Sequence, residues 1–273
     1  MRAPAGPEPA DAAAVIQAHA GRTPLVLSLP HVGSQIPAEL QGRLTPLALE
    51  VADTDWHVEQ LYAFARPLGC GWLQPSLSRY VIDLNRPADD AALYPGQVST
   101  GLCPTMSFDG APLYRAAGPT PAEVAERRSR YWQPYHDALQ SLLAATRAQH
   151  GFAVLLDAHS IRSAVPRLFA GRLPDVNLGT NAGASCAPAL SAAVLRCLQG
   201  QSVFSSVLDG RFKGGYITRH YGEPQSNVHA LQVELSQASY MDEAGHSFDA
   251  VRAAPLIALL GTVVQALLEF KPA

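Results

Sequence analysis

The stretch FAVLLDAHS (152–160) decides the fold. Five apolar residues that stop abruptly at Asp157, His159 and Ser160 describe a strand buried in a sheet and running out into a polar loop. The same pattern recurs along the chain. PLVLSLP (24–30) is an apolar run closed by Pro that delivers His31, and GWLQPSLS (71–78) with RYVIDL (79–84) reads as two tightly joined strands ending in the loop 85–95. Residues 203–208 and VHALQVEL (228–235) complete the strand set. Helical patterns fall between them: Asp55 to Phe64 with Trp56, Leu61 and Phe64 on one face, then 121–149, 185–199 and about 246–270. The long helix opens with TPAEVAERR, an N-cap followed by Pro and acid, and Pro134 should kink it. Strands alternating with helices predict an α/β fold around a mostly parallel sheet.

No linker or repeat divides this pattern, so residues 23–273 read as a single α/β domain. Residues 1–22 read as a flexible Pro/Ala-rich entry segment with a short helix around Asp11–Ala20, and the Gly- and Pro-rich stretch 96–121 as an excursion over the surface. The 273 residues carry Lys+Arg 20 against Asp+Glu 23, a net charge of -3, and only 16% are charged, which excludes disorder as the main state. No Lys/Arg run tracks a phosphate backbone, which argues against nucleic acid. No uninterrupted apolar run reaches the roughly 18 residues of a membrane span, which argues against a membrane. Four cysteines without a CxxC pair read as free thiols, and the N-terminus lacks the basic start and apolar core of a signal peptide. A cytoplasmic protein acting on a small molecule is expected.

In open α/β sheets ligands gather at the carboxyl ends of strands. Here those ends offer His31, then Asp83, Asn85 and Arg86, then Asp157, His159 and Ser160, and finally His229 and Glu234. Two imidazoles and a carboxylate can hold Zn2+ and leave a position for water, and a further carboxylate can act as general base. No GxxxxGK[ST] or strand-linked GxGxxG is present, and the pair Gly214–Gly215 is too weak a signal for phosphate binding. Ser160 raises a serine-nucleophile alternative, but no GxSxG elbow surrounds it and its neighbour His159 is adjacent in sequence.

Several blocks together resemble the N-formylglutamate amidohydrolase family: PHVGSQIP (30–37), DTDWHVEQLYAFA (53–65), SRYVIDLNRP (78–87), YWQPYH (131–136), LLDAHSIRS (155–163), PRLFAGRLPDVNLGTN (166–181) and KGGYITRHYGEPQSNVHALQVELSQASYMDE (213–243). That family is distantly similar to zinc carboxypeptidase-like deacylases, with DLNR (83–86), Asp157-x-His159 and Val233–Glu234 as the shared segments. The resemblance implies a mixed central sheet between helices and metal-dependent hydrolysis of N-formyl-L-glutamate to formate and L-glutamate, a step of histidine degradation. Those relatives carry H-x-x-E as a first metal motif. Here Ser34 stands three residues after His31, so the carboxylate ligand has to come from elsewhere.

The expected metal ligands are His31, His159 and Asp55, the last chosen over Asp53 and His57, although DTDWH could equally cap the following helix. Asp157 could orient an imidazole. Glu234 is the expected general base. By the same similarity Arg79 would polarise the scissile carbonyl, and Asn85 with Arg86 would hold the α-carboxylate. Arg219 is the expected partner of the side-chain carboxylate, since a dicarboxylate needs more than one guanidinium. A non-catalytic protein that holds an acidic metabolite on this arginine cluster is the alternative from another class, and another acidic N-acyl amino acid is the alternative substrate.

Overall fold

A computed structural model describes residues 15–92, 96 and 98–272. Seven strands form its main sheet: β1 (Ile16–His19), β2 (Leu25–Ser28), β3 (Gly71–Pro75), β4 (Ala153–Ile161), β5 (Val176–Gly179), β6 (Ser206–Leu208) and β7 (Val228–Ser236), in the order β1-β3-β2-β4-β7-β5-β6. The central strands β3, β2, β4 and β7 run parallel, β5 and β6 pair parallel, and the β1–β3 and β5–β7 pairs are antiparallel. The sheet is therefore mixed and mostly parallel, as expected. A small ribbon, β8 (Met241–Asp242) with β9 (Ser247–Phe248), stands apart.

The helices are α1 (Ala38–Gln41), α2 (Pro46–Leu49), α3 (Val58–Leu61), α4 (Pro121–Arg127), α5 (Gln133–His150), α6 (Pro188–Gln199), α7 (Tyr216–Tyr221) and α8 (Ala250–Glu269). Alternation along the buried strands explains how the helices divide between the two faces. Leu25, Leu27 and Leu29 with Val154, Leu156 and Ala158 enter one core with α3, α6 and α8, while Val26 with Ala153 and Leu155 enters a second core under α5. The phase that points Ala153 and Leu155 at α5 continues into Asp157 and His159. Apolar packing gives way to polar groups at this end of the strand.

Four expectations need correction. Ile16–His19, expected within a flexible segment and a short helix, forms strand β1 on the sheet edge; residues 1–14, with the rest of that helix, lie outside the described residues. RYVIDL is buried but is not a strand. Pro75 ends β3, and the main chain beyond it bonds to loops, with Ser78 N donating to Gln35 O and Asp83 N to Leu102 O. The apolar side chains had signalled burial rather than extension. The excursion 96–121 is no surface loop, because Leu102, Phe108, Leu113 and Tyr114 are buried. Finally, the expected helix at 55–64 shrinks to α3, preceded by His57 in the left-handed region (φ 63°).

Two further features bear on earlier readings. The long helix is interrupted just before Pro134 by a π-turn at Arg128–Trp132, in which Gln133 N reaches back five residues to Arg128 O. Proline removes a donor from the ladder, and a wide turn is one way to absorb it. Helix α8 is long and apolar enough to cross a membrane, with a mean hydropathy of 1.8. Its Leu256, Leu259, Leu260, Val263, Val264 and Leu267 are instead packed in the first core.

Candidate metal centre and pocket

Three loop and strand ends bring His31, Asp55 and His159 together. His31 follows β2, Asp55 precedes α3 with its N–H bonded to His31 O (3.0 Å), and His159 sits near the end of β4. One ligand-type atom from each lies within 4.8 Å of the others, and all three residues are buried. His159 Nδ1 is 2.9 Å and His31 Nδ1 3.7 Å from Asp55 Oδ2. The rings of the two histidines are 4.9 Å apart.

What lies behind the imidazoles decides what this trio can do. His31 Nε2 is hydrogen-bonded to Asp83 Oδ1 (2.7 Å), and His159 Nε2 lies 3.1 Å from Asp157 Oδ1. Each ring thus has a carboxylate near one nitrogen and turns the other toward Asp55, and for His31 the hydrogen bond between Nε2 and Asp83 is the arrangement that fixes the tautomer of a metal-binding histidine. His31 Nδ1 is buried with no hydrogen-bond partner among the described residues. An orphaned imidazole nitrogen facing a carboxylate oxygen fits a divalent cation better than it fits a closed polar core.

The electrostatics agree. Burial alone would raise the carboxyl of Asp55, but hydrogen bonds and charge from His159 and His31 outweigh it and hold the group below the usual range. For Asp83, burial is outweighed by the Arg79 and His31 charges. His159 is pushed well above its ordinary range because Asp157 and Asp55 overcome the cost of burying its cation. The buried carboxylates hold a proton on His159 tightly, and metal binding at such a site releases protons.

Glu234 arrives on the neighbouring strand. In the parallel β4–β7 register His159 pairs with Glu234 and Asp157 with Gln232, so these four side chains share one face. Glu234 is buried, which pushes its carboxyl up to about 8. Gln232 accepts from Gly215 N (2.6 Å) through Oε1, which leaves its Nε2 to donate to Glu234 Oε2 (3.0 Å). His31, His159, Glu234, Gln232, Arg79, Asp83, Asn85 and Arg86 all line one pocket.

Other expected residues sort differently. Arg79 is buried among carboxylates, donating to Asp83 Oδ2 (2.7 Å), 3.7 Å from Asp55 Oδ1 and packed over the Phe108 ring. Asn85 lines the pocket, but its amide is committed to the protein: Nδ2 donates to Asp157 Oδ2 (3.2 Å) and lies 2.9 Å from His159 Nε2, and Oδ1 accepts from Ile217 N (2.8 Å). Arg86 donates to Thr100 (3.2 Å). Its Nε is buried without a hydrogen-bond partner among the described residues.

Arg219 does not line this pocket. It lies on α7 with Nε donating to Gly214 O (2.8 Å), outside the pocket lining, while Arg211, which the motif reading passed over, lines it. Asp53 accepts from Phe108 N, and His57 meets His246 O, so neither joins the trio. Ser160 Oγ is 2.8 Å from the Tyr240 hydroxyl and accepts from Gln237 Nε2 (3.3 Å). Its partners are therefore an amide and a phenol rather than an imidazole base.

Comparison with known proteins adds a second line of observation. The sequence profile described as N-formylglutamate amidohydrolase matches residues 23–241. A Pseudomonas aeruginosa protein named N-formylglutamate deformylase is 53% identical over 227 residues, covering 82% of this chain and 84% of the relative. One of the same name from Pseudomonas putida is 46% identical over 261 residues, covering 94% and 96%. The crystal structure of an N-formylglutamate amidohydrolase from Ralstonia eutropha JMP134 superposes with a TM-score of 0.78 at 28% identity, covering 93% of this chain and 97% of that one.

Proposed function

The chain belongs to the N-formylglutamate amidohydrolase family, and we propose that it hydrolyses N-formyl-L-glutamate to formate and L-glutamate with the help of a zinc ion. The observation that carries this reading is the pairing of His159 with Glu234 across β4 and β7, which sets a carboxylate beside the His31–Asp55–His159 trio on one pocket wall. His31 and His159 through Nδ1, and Asp55 through its carboxylate, would hold the ion. When bound, such an ion lowers the pKa of water and polarises a carbonyl oxygen.

The chain's own residues supply the rest. Glu234 takes a proton from the attacking water and delivers it to the amide nitrogen as the C–N bond breaks, so that formate and a free amine leave. Gln232 donates to one oxygen of Glu234, which fixes the direction of the other oxygen. Asp83 and Asp157 hold the two imidazoles in register. Arg86, whose Nε has no hydrogen-bond partner among the described residues, receives the α-carboxylate, and Asn85 packs against His159 rather than the substrate. Arg79 supplies positive charge beside the cluster. The four cysteines are free thiols, which suits a reducing cytoplasm.

The test is Glu234→Gln, which keeps size and hydrogen bonding but cannot accept a proton. With N-formylglutamate as substrate, kcat should fall about 10²- to 10⁴-fold while KM changes little. Elemental analysis of the same preparation should show metal content equal to that of the wild type. A variant with wild-type turnover leaves the reaction without this base, and one that has lost its metal makes Glu234 a ligand.

A further inference from the structure

We propose that Trp132 is a positioning residue for substrate affinity: its indole N–H, aimed by the π-turn, holds the main chain of Arg86 so that the guanidinium is in place for the α-carboxylate. This rests on the deformylase reading above and on the role given there to Arg86. The motif YWQPYH (131–136) contributes no side chain to the pocket lining, yet it lies where α4 passes into α5 and the helical ladder widens. A π-turn holds one extra residue, which swings the side chains after it by about 100° from the phase that α4 sets, and such turns are frequent at functional sites. Here the swing has a target.

Trp132 and His136 are both buried and stand one helical turn apart, with their ring centroids 3.8 Å from each other. Trp132 Nε1 donates to Arg86 O (2.9 Å), and His136 Nε2 is hydrogen-bonded to Leu84 O (3.0 Å). Between these two carbonyls, Asn85 O accepts from Tyr216 N (3.4 Å) at the start of α7, and Asn85 Oδ1 accepts from Ile217 N (2.8 Å). Three successive carbonyls are thus gripped, but by different elements. Asn85, which lies against His159, is held by α7, whereas the carbonyl of Arg86 is held by the indole. Pro87 follows and has no N–H to tie the chain down. Loss of the indole N–H therefore releases Arg86 first and leaves Asn85, His159 and Glu234 in place. A displaced guanidinium weakens binding of the ground-state substrate and spares proton transfer.

The experiment compares N-formyl-L-glutamate with 4-formamidobutanoate, the same molecule without its α-carboxylate, on wild-type protein, Trp132→Phe, Arg86→Met and the double variant, with released formate as the readout. Trp132→Phe should raise KM for N-formylglutamate about tenfold and leave kcat within about threefold, the size expected when one buried acceptor loses its donor. On 4-formamidobutanoate its kcat/KM should stay within about threefold of wild type, since no α-carboxylate remains for Arg86 to receive. That retained rate shows that the variant is folded. In the Arg86→Met background, Trp132→Phe should cost less than about threefold on N-formylglutamate, because the two residues act on one contact. β-(3-Benzothienyl)alanine at position 132, which keeps the bicyclic shape and lacks only the N–H, should behave as Trp132→Phe does.

An equal fall on both substrates in Trp132→Phe and in the benzothienyl protein would make the indole a structural element and overturn the proposal. So would an unchanged KM for N-formylglutamate, or costs in the double variant that simply add. An Arg86→Met protein that keeps the wild-type preference between the two compounds removes the role of Arg86, and the proposal with it, while the deformylase reading stands. A wild-type protein that releases no formate from N-formylglutamate defeats that reading itself, a distinct outcome.

Discussion

Asp83 touches four residues of the site, His31, Asn85, Arg79 and Arg86. Its Oδ1 meets His31 Nε2 (2.7 Å) and accepts from Asn85 N (2.9 Å), while Oδ2 accepts from Arg79 Nη2 (2.7 Å) and lies 3.9 Å from Arg86 Nε. One buried carboxylate thus fixes the tautomer of a proposed ligand, neutralises one arginine and shapes the turn that presents another. Asp83→Asn should weaken metal affinity by about 10- to 100-fold, the usual effect of removing a carboxylate behind a ligating imidazole. Competition titration with a chelating indicator reads this directly, and unchanged affinity would show that His31 keeps its tautomer without Asp83. Residues of this kind mark the limit of sequence reading. His31, His159 and Glu234 are recognisable from their place at strand ends and Asp55 from the DTDWH segment before a helix, whereas Asn85 and Arg219 have suitable side chains whose directions are set by the backbone around them. Arg211 has no motif at all, and only the tertiary approach of residues 98, 168 and 211 brings it to the pocket.

Among the elements, β4 and β7 were the most legible, because a long apolar run ending in acid and imidazole has few structural meanings. Their register was not legible, yet it is the register that sets His159 beside Glu234. The short strand β5 escaped notice because VNLG offers four residues with Asn and Gly among them. RYVIDL misled for the opposite reason, since a bent segment with a fully buried backbone carries the same apolar composition as a strand. The Gly214–Gly215 pair, too weak for a phosphate loop, has a packing role instead. A Cβ on Gly215 would stand 2.4 Å from Asn85 Nδ2 and 2.6 Å from its Oδ1, and that amide is pinned to Asp157, His159 and Ile217. Gly215 N also orients Gln232. Gly215→Ala should therefore disturb His159 and Glu234 together, lowering kcat/KM by at least about tenfold through misplaced catalytic groups. Steady-state kinetics beside a thermal melt checks it; a variant with wild-type kinetics would mean that the turn yields without moving Asn85.

At the scale of the whole molecule, stability toward acid follows from imidazoles that the fold keeps neutral. His136 on α5 is buried, and burial pushes it down to about 3, with the Leu84 carbonyl opposing that shift only in part. Nε2 is hydrogen-bonded to Leu84 O (3.0 Å) and Nδ1 to the Tyr221 hydroxyl (3.0 Å), so the ring links α5 and α7 to the turn that carries Asp83 and Arg86. The sign follows from proton counting. Below its ordinary value near 6.5 the unfolded chain binds a proton at His136 that the folded chain refuses until about pH 3. Folding stability from this group is therefore fully present above pH 6.5 and declines as the pH falls from there toward 3, at about 1.4 kcal/mol per unit once the unfolded form is fully charged. Between pH 7 and 5 that amounts to about 2 kcal/mol. His220 and His229 are also pushed down by burial and add to the same slope. His136→Gln isolates one contribution, because the proposed metal centre and the other histidines titrate alike in both proteins. The variant should be less stable at pH 8, yet its loss of stability between pH 7 and 5 should be smaller than the wild type's by about 2 kcal/mol. Urea unfolding at the two pH values measures both quantities, and parallel pH dependences would show that His136 takes up its proton in the folded protein.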